Sequence, residues 1–290
     1  LVGSEMCIRD SFIPVLTFAT IFSSFDNFLN SIYMVEKRSG LSLLTMGVGA
    51  VMNLILNALL IPIWGVQGAA IATFISQLVG GVLPVFYFID RSNSSRLHLC
   101  KTSFYSKVLR DACINGSSEL MTNLSLSLVN MLYNFQLIRL AGEDGVAAYG
   151  VIMYVNLIFL GVFIGYSIGS APVVSYHFGA DNRAELRGLL RRSLGILAVM
   201  SVAMTVLAEA LALPLARIFV GYDAALLEMT RHGFMLYSLS FLFAGGGIFG
   251  SAFFTALNNG AVSALISFLR ALVFQMAAVL LLPRLMGLDG

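Results

Sequence analysis

Ser39-Gly40, a long apolar run, Ile61-Pro62 and then Gly65-Val66-Gln67-Gly68 form a pattern that returns about 220 residues later. The second copy is Asn259-Gly260, another apolar run, Leu282-Pro283 and Gly287-Leu288-Asp289-Gly290. A fresh apolar segment, 69–88, follows the first copy, and the sequence stops after the second. Same-direction repeats of hydrophobic segments mark one large class of secondary transporters, whose two halves rock about a central site. The repeat therefore predicts a function class, and also that the chain is a piece of a longer protein.

Composition agrees. The chain is 58% hydrophobic and only 11% charged, with a mean hydropathy of +0.89, whereas a soluble domain is about one-quarter charged. Polar residues fall in short clusters between apolar runs of about 20 residues, the length that crosses a bilayer. The expected fold class is all-α, a polytopic membrane helical bundle surrounded by lipid. A net charge of +2 gives no reason to expect nucleic acid.

Residues 1–11 lack an initiator Met, carry Glu5, Arg9 and Asp10 without pattern, and read as a non-native lead. From there the periodicity predicts eight helices over 12–34, 41–63, 67–89, 113–139, 146–170, 194–219, 232–256 and 261–283. Three helices fill 12–90, a connection rich in Ser, Asn and basic residues fills 91–112, and five helices fill 113–290. Pro84, inside its segment after Gly80-Gly81, predicts a kink. Gly161, Gly165 and Gly169 form a ridge suited to close helix packing, and Gly245-Gly246-Gly247 suits packing better than a hinge.

Eleven Lys and Arg lie in connections on one side: Lys37, Arg38, Arg91, Arg96, Lys101, Lys107, Arg110, Arg183, Arg187, Arg191 and Arg192. Four lie on the other: Arg139, Arg217, Arg231 and Arg284. The richer side is expected to face the cytoplasm. The 175–193 connection reads as a short basic amphipathic helix opened by Asn182 and Glu185, with its arginines on lipid headgroups.

Cys7, Cys100 and Cys113 have no CxxC spacing, and His98, His177 and His232 lie far apart, so neither a disulfide nor a zinc site is indicated. Nucleophile, zinc-protease and phosphate-loop motifs do not occur in a credible setting. The chain reads as a non-enzyme without cofactor.

Chemistry must then come from polar groups at membrane depth, where a charge costs at least about 2.5 kcal/mol. Glu119, Asn123, Ser127, Asn130 and Asn134 recur at spacings of four, four, three and four, so all five share one helix face, with Tyr133 and Gln136 beside it. Two readings follow: hydrogen-bonding glue between helices, or the wall of a wet cavity, which the carboxylate favours. Glu119 could take a proton, Na⁺ or a cationic substrate.

Asp26, with Ser23, Asn27 and Asn30 around it, is a shorter version of that stripe, open to either a cavity or a structural role. Arg270, in the middle of the last segment, calls for a carboxylate partner or a helix carbonyl, with Glu119 or Asp26 as candidates. Glu209, just before Pro214, reads as an interfacial carboxylate.

Four motifs in order then resemble the multidrug and toxic compound extrusion (MATE) transporters, a family whose superfamily also holds lipid and polysaccharide flippases. These are Gly65-Val66-Gln67-Gly68-Ala69-Ala70; Ala147-Ala148-Tyr149-Gly150-Val151; Pro172-Val173-Val174-Ser175 through Gly179-Ala180 and Asn182; and Ser267-Phe268-Leu269-Arg270 with Pro283 and Gly287. The resemblance implies two pseudo-symmetric six-helix lobes, with the eight helices here standing for the fourth to the eleventh. It also implies alternating access, with organic cations expelled in exchange for Na⁺ or H⁺. Glu119 matches an acid some members carry on the seventh helix. The tenth helix here lacks the carboxylate of a two-acid site.

The resulting expectation is a monomeric, multi-pass drug:cation antiporter of a bacterial inner membrane, using Glu119, Asn123, Ser127, Asn130, Asn134, Asp26, Asn30 and Arg270. A flippase for lipid-linked saccharides is the nearest alternative, although its pyrophosphate would call for several cavity cations and only Arg270 lies at membrane depth. A non-transporting membrane scaffold would need no ordered carboxylate stripe.

Overall fold

The computed structural model describes the backbone of residues 2–90 and 103–289, and the side chains of 17, 19–90 and 103–288 within them. Most of the 91–112 connection, with His98 and Cys100, lies outside the described residues. All regular structure among them is helical. In order the helices are α1 (Val2–Val35), α2 (Ser39–Ile89), α3 (Ser106–Gly179), α4 (Arg183–Val220), α5 (Ala224–Ser238), α6 (Phe241–Ala256), α7 (Gly260–Phe268) and α8 (Phe274–Met286), with a π-helical turn, Leu269–Val273, joining the last two.

At 1.5 Å per residue, α2 with 51 residues and α3 with 74 are far too long for one crossing of a hydrocarbon layer about 30 Å thick. Each is broken once, at Gly65 (φ 56°, ψ −132°) and at Gly142 (φ 66°, ψ −150°). Gly287, at the matching place of the second repeat, has φ 65° and ψ −130°. Only glycine adopts that conformation cheaply. The repeat is therefore a repeat of backbone geometry, and Gly142-Glu143-Asp144-Gly145 is a further instance that the repeat comparison missed.

Counting the two arms of α2 (39–64 and 66–89) and of α3 (106–141 and 143–179), the chain has eight segments of membrane-spanning length. α2, α3, α4 and the α7–α8 run are apolar enough to span by composition, and the α5–α6 pair joins them if its 51° bend lies within one span.

Several expectations are corrected. The first helix begins at Val2 rather than at 12. The backbone stays helical through Pro84, and the break in α2 falls at Gly65. The basic turns at 183–192 are not a separate helix but the start of α4, capped where Asn182 Oδ1 accepts from the Glu185 N–H at 3.2 Å. The seventh segment starts at Ala224 behind an Asp223 cap, and bends at Leu239-Ser240. A Cβ built on Gly161, Gly165 or Gly169 meets nothing within 4 Å, because that arm buries its other face through Val155, Phe159 and Phe163.

The chain divides into two compact units, Leu1–Phe104 and Tyr105–Gly290. In the first, α1 packs on α2 around Leu29, Tyr33 and Phe88, with Tyr33 stacked on Phe88 at 5.0 Å. In the second, Phe159, Phe163, Leu197, Phe234, Phe241 and Phe249 from α3–α6 form the core, with Phe159 stacked on Phe241 at 5.2 Å. Lipid tails are as apolar as leucine, so burial from water does not hold such helices together; close packing and interhelical hydrogen bonds do. Glycine and hydroxyl residues at the contacts serve that need. A Cβ on Gly245 would lie 2.8 Å from the Phe163 ring.

Candidate functional site

The first arm of α3 has two unlike faces. On one, Asn115 Nδ2 donates to the Thr255 carbonyl at 3.2 Å, and Ser118 meets the Thr255 hydroxyl at 3.4 Å. Gln136 Nε2 donates to the Val279 carbonyl at 3.2 Å. These bonds tie α3 to α6 and α8, and the glue role falls to residues outside the Glu119 face.

The other face carries Glu119, Asn123, Ser127 and Asn130, all exposed, and Asn134, half-buried. Asn123, Ser127 and Asn134 each donate back to the carbonyl four residues earlier, at 2.9, 3.1 and 2.9 Å. Such local bonds use up the donors and leave oxygens outward. The Glu119 carboxylate has no hydrogen bond or ion pair among the described residues. Towards the far end, Tyr149 donates to Asn130 Oδ1 at 2.7 Å and stacks on Tyr133 at 4.9 Å. The face therefore offers a carboxylate, amide oxygens and an aromatic pair, a set suited to cations. Tyr149 was legible only as part of a family motif, because it reaches the stripe from the second arm of α3.

Arg270 sits in the π-helical turn, half-buried, in the same unit. Its stem occupies the room where a Cβ on Gly247 would lie. Its Nε is buried without a hydrogen-bond partner. Glu119 is the carboxylate whose charge reaches it, yet the two form no ion pair. A π turn carries one extra residue per turn and often marks a functional position.

Beside them lies a buried hydroxyl cluster that the sequence reading missed. Ser251 meets Ser263 and Ser267 at 2.8 Å each, and Thr255 meets Ser263 at 2.7 Å. The i,i+4 pairs Ser251/Thr255 and Ser263/Ser267 were the available signal.

Asp26 and Asn30 belong to the first unit. Asn30, buried, donates to Asp26 Oδ1 at 2.7 Å and accepts from Ser42 at 2.9 Å and Thr45 at 3.1 Å. A Cβ on Gly80 would lie 3.5 Å from the Asp26 carboxyl. Asn30 is thus a tie between α1 and α2, with Asp26 orienting its amide. Asn30→Ala is expected to lower stability by about 1 kcal/mol, the range of interhelical hydrogen bonds in membranes. A thermal-unfolding shift in detergent reads this, and an unchanged midpoint would show that the tie carries no net stability. Among the described residues no three His, Cys, Asp or Glu side chains group as metal ligands.

Fold and site together define a multi-pass helical membrane protein with a polar, acid-bearing helix face. The MatE family model matches residues 120–280, more than half of the chain, and the chain belongs to this family of transporters. It is 24% identical over 217 residues to the multidrug export protein MepA of Staphylococcus saprophyticus, covering 71% of this chain and 47% of that protein. It spans about half the length of that curated relative. Among solved structures, a MATE crystallised with MaL6 superposes with a TM-score of 0.89 at 20% identity, over 96% of this chain and 64% of the other. A MATE transporter of Vibrio cholerae gives 0.88 at 20%, over 99% and 65%. At such identities these structures speak for the fold alone.

Proposed function

We propose that the intact protein exports organic cations in exchange for Na⁺ or H⁺, with Glu119 as the coupling group. The observation carrying this reading is the exposed face of α3, where an unpaired carboxylate shares a stripe with outward amide oxygens and the Tyr133–Tyr149 pair. A carboxylate binds one cation at a time. A proton or Na⁺ on Glu119 lowers affinity for a cationic drug, and a bound drug lowers affinity for the ion by the same factor. Each ligand then favours the conformation that holds it better, which is the requirement for exchange. The aromatic pair supplies cation–π attraction without demanding one drug shape.

The test uses the intact protein in everted membrane vesicles with a fluorescent organic cation. Imposing a Na⁺ gradient and a pH gradient in turn is expected to drive dye movement under at least one, above control vesicles. No gradient-driven movement under either would overturn the antiport reading and favour a flippase.

A further inference from the structure

We infer that Arg270 is a resident cation that competes with the transported and coupling cations for Glu119, an inference resting on the proposed role of that carboxylate. Three observations converge. First, neither charge is satisfied: Arg270 Nε is buried without a partner, and the Glu119 carboxylate is unpaired. Second, the two are close enough for their charges to interact but not bonded. Third, Arg270 has a built track, since its stem lies in the slot left by the missing side chain of Gly247, and a π-helical turn holds its Cα.

The helix register favours a reach to Glu119. Gly260 lies against Asn115, and Gln136 bonds Val279, so the first arm of α3 runs parallel to α7–α8. In that alignment Arg270 starts further along the shared axis than Glu119. Helical side chains lean back toward the N-terminus. The guanidinium is thus directed toward the carboxylate, and a change in rotamer along the Gly247 slot completes the pair.

A permanent ion pair would block the site, and a lone carboxylate would hold its cation too tightly to release it. An arginine poised beside the carboxylate avoids both. It refills the site when the cation departs and yields it when a cation arrives. Arg270 then sets the affinity and the release of whatever binds Glu119, and acts as a specificity-determining residue.

Equilibrium binding of tetraphenylphosphonium to the purified intact protein tests this in four forms: native, Arg270→Gln, Glu119→Gln and the double variant. Arg270→Gln is expected to tighten binding about tenfold, the scale of one partly exposed charge pair, with Arg270→Lys within about twofold of native. In the Glu119→Gln background the same change is expected to have no effect. Equal tightening in both backgrounds, or none in the native one, would overturn the competition. Should Arg270→Gln not yield folded protein, Arg270→Lys still decides: a lysine keeps the charge, so native-like binding that weakens with Glu119→Gln supports competition, and binding tightened as if the charge were gone refutes it. If Glu119→Gln alone leaves both binding and gradient-driven transport intact, the coupling role of Glu119 has failed, a result separate from failure of Arg270.

Discussion

Glu119→Gln is expected to abolish gradient-driven efflux while leaving the folded protein intact. Glutamine keeps the size and hydrogen-bonding reach of the side chain, and loses the negative charge that lets a small cation and a drug exclude one another. Couplings between sites run to about 1–3 kcal/mol, a factor of up to roughly 150 in affinity, so the coupled rate should fall on the order of 100-fold. Stability should barely change, because Glu119 is exposed and bonds no other side chain, while the interhelical bonds of its helix come from Asn115, Ser118 and Gln136. Efflux in everted vesicles measures the first, and detergent unfolding the second. Efflux that persists in the variant would move coupling away from this face. A variant that no longer folds would show that the carboxylate is structural.

The difference between Glu119 and Arg270 shows what was legible in the sequence. Glu119 announces itself because its companions recur at helical spacing, so one periodicity places them all on one face. Arg270 gave only the anomaly of a charge at membrane depth. Its setting depends on Gly247 from another helix and on a π turn with no residue signature, and neither follows from local pattern. Asn30 was read as a site residue from the same spacing argument, yet its partners Ser42 and Thr45 lie on the next helix, and the pattern of α1 alone cannot distinguish a wall from a tie. The helices themselves were legible because apolar runs of spanning length are separated by glycine turns. The bend at Leu239-Ser240 was not, since those residues carry no helix-breaking chemistry, although the Asp223 cap ahead of α5 was available.

Gly260→Ala is expected to destabilise the protein strongly, and Gly40→Ala, its counterpart in the repeat, is not. The two glycines hold the same place in sequence, each after a polar residue at the start of an apolar run. A Cβ on Gly40 meets nothing within 4 Å. At this exposed helix start alanine should be neutral, or slightly favourable through its better helix propensity. A Cβ on Gly260 would lie 2.5 Å from Asn115 Cα and 2.6 Å from the Ile114 carbonyl oxygen. Those are backbone atoms of α3, so no rotamer change makes room and the helices must separate. Separation would also stretch the Asn115–Thr255 bond and the hydroxyl contacts of Ser118, Thr255 and Ser263 that knit α3, α6 and α7. Overpacking that side chains can absorb costs about 1–3 kcal/mol, and here the upper end is expected for alanine, with loss of folded protein for Gly260→Leu. Yield of monodisperse protein and its thermal midpoint measure the contrast. Equal behaviour of the two alanine variants would mean that α7 and α3 do not approach this closely, and the parallel register that aligns Arg270 with Glu119 would lose one of its two anchors.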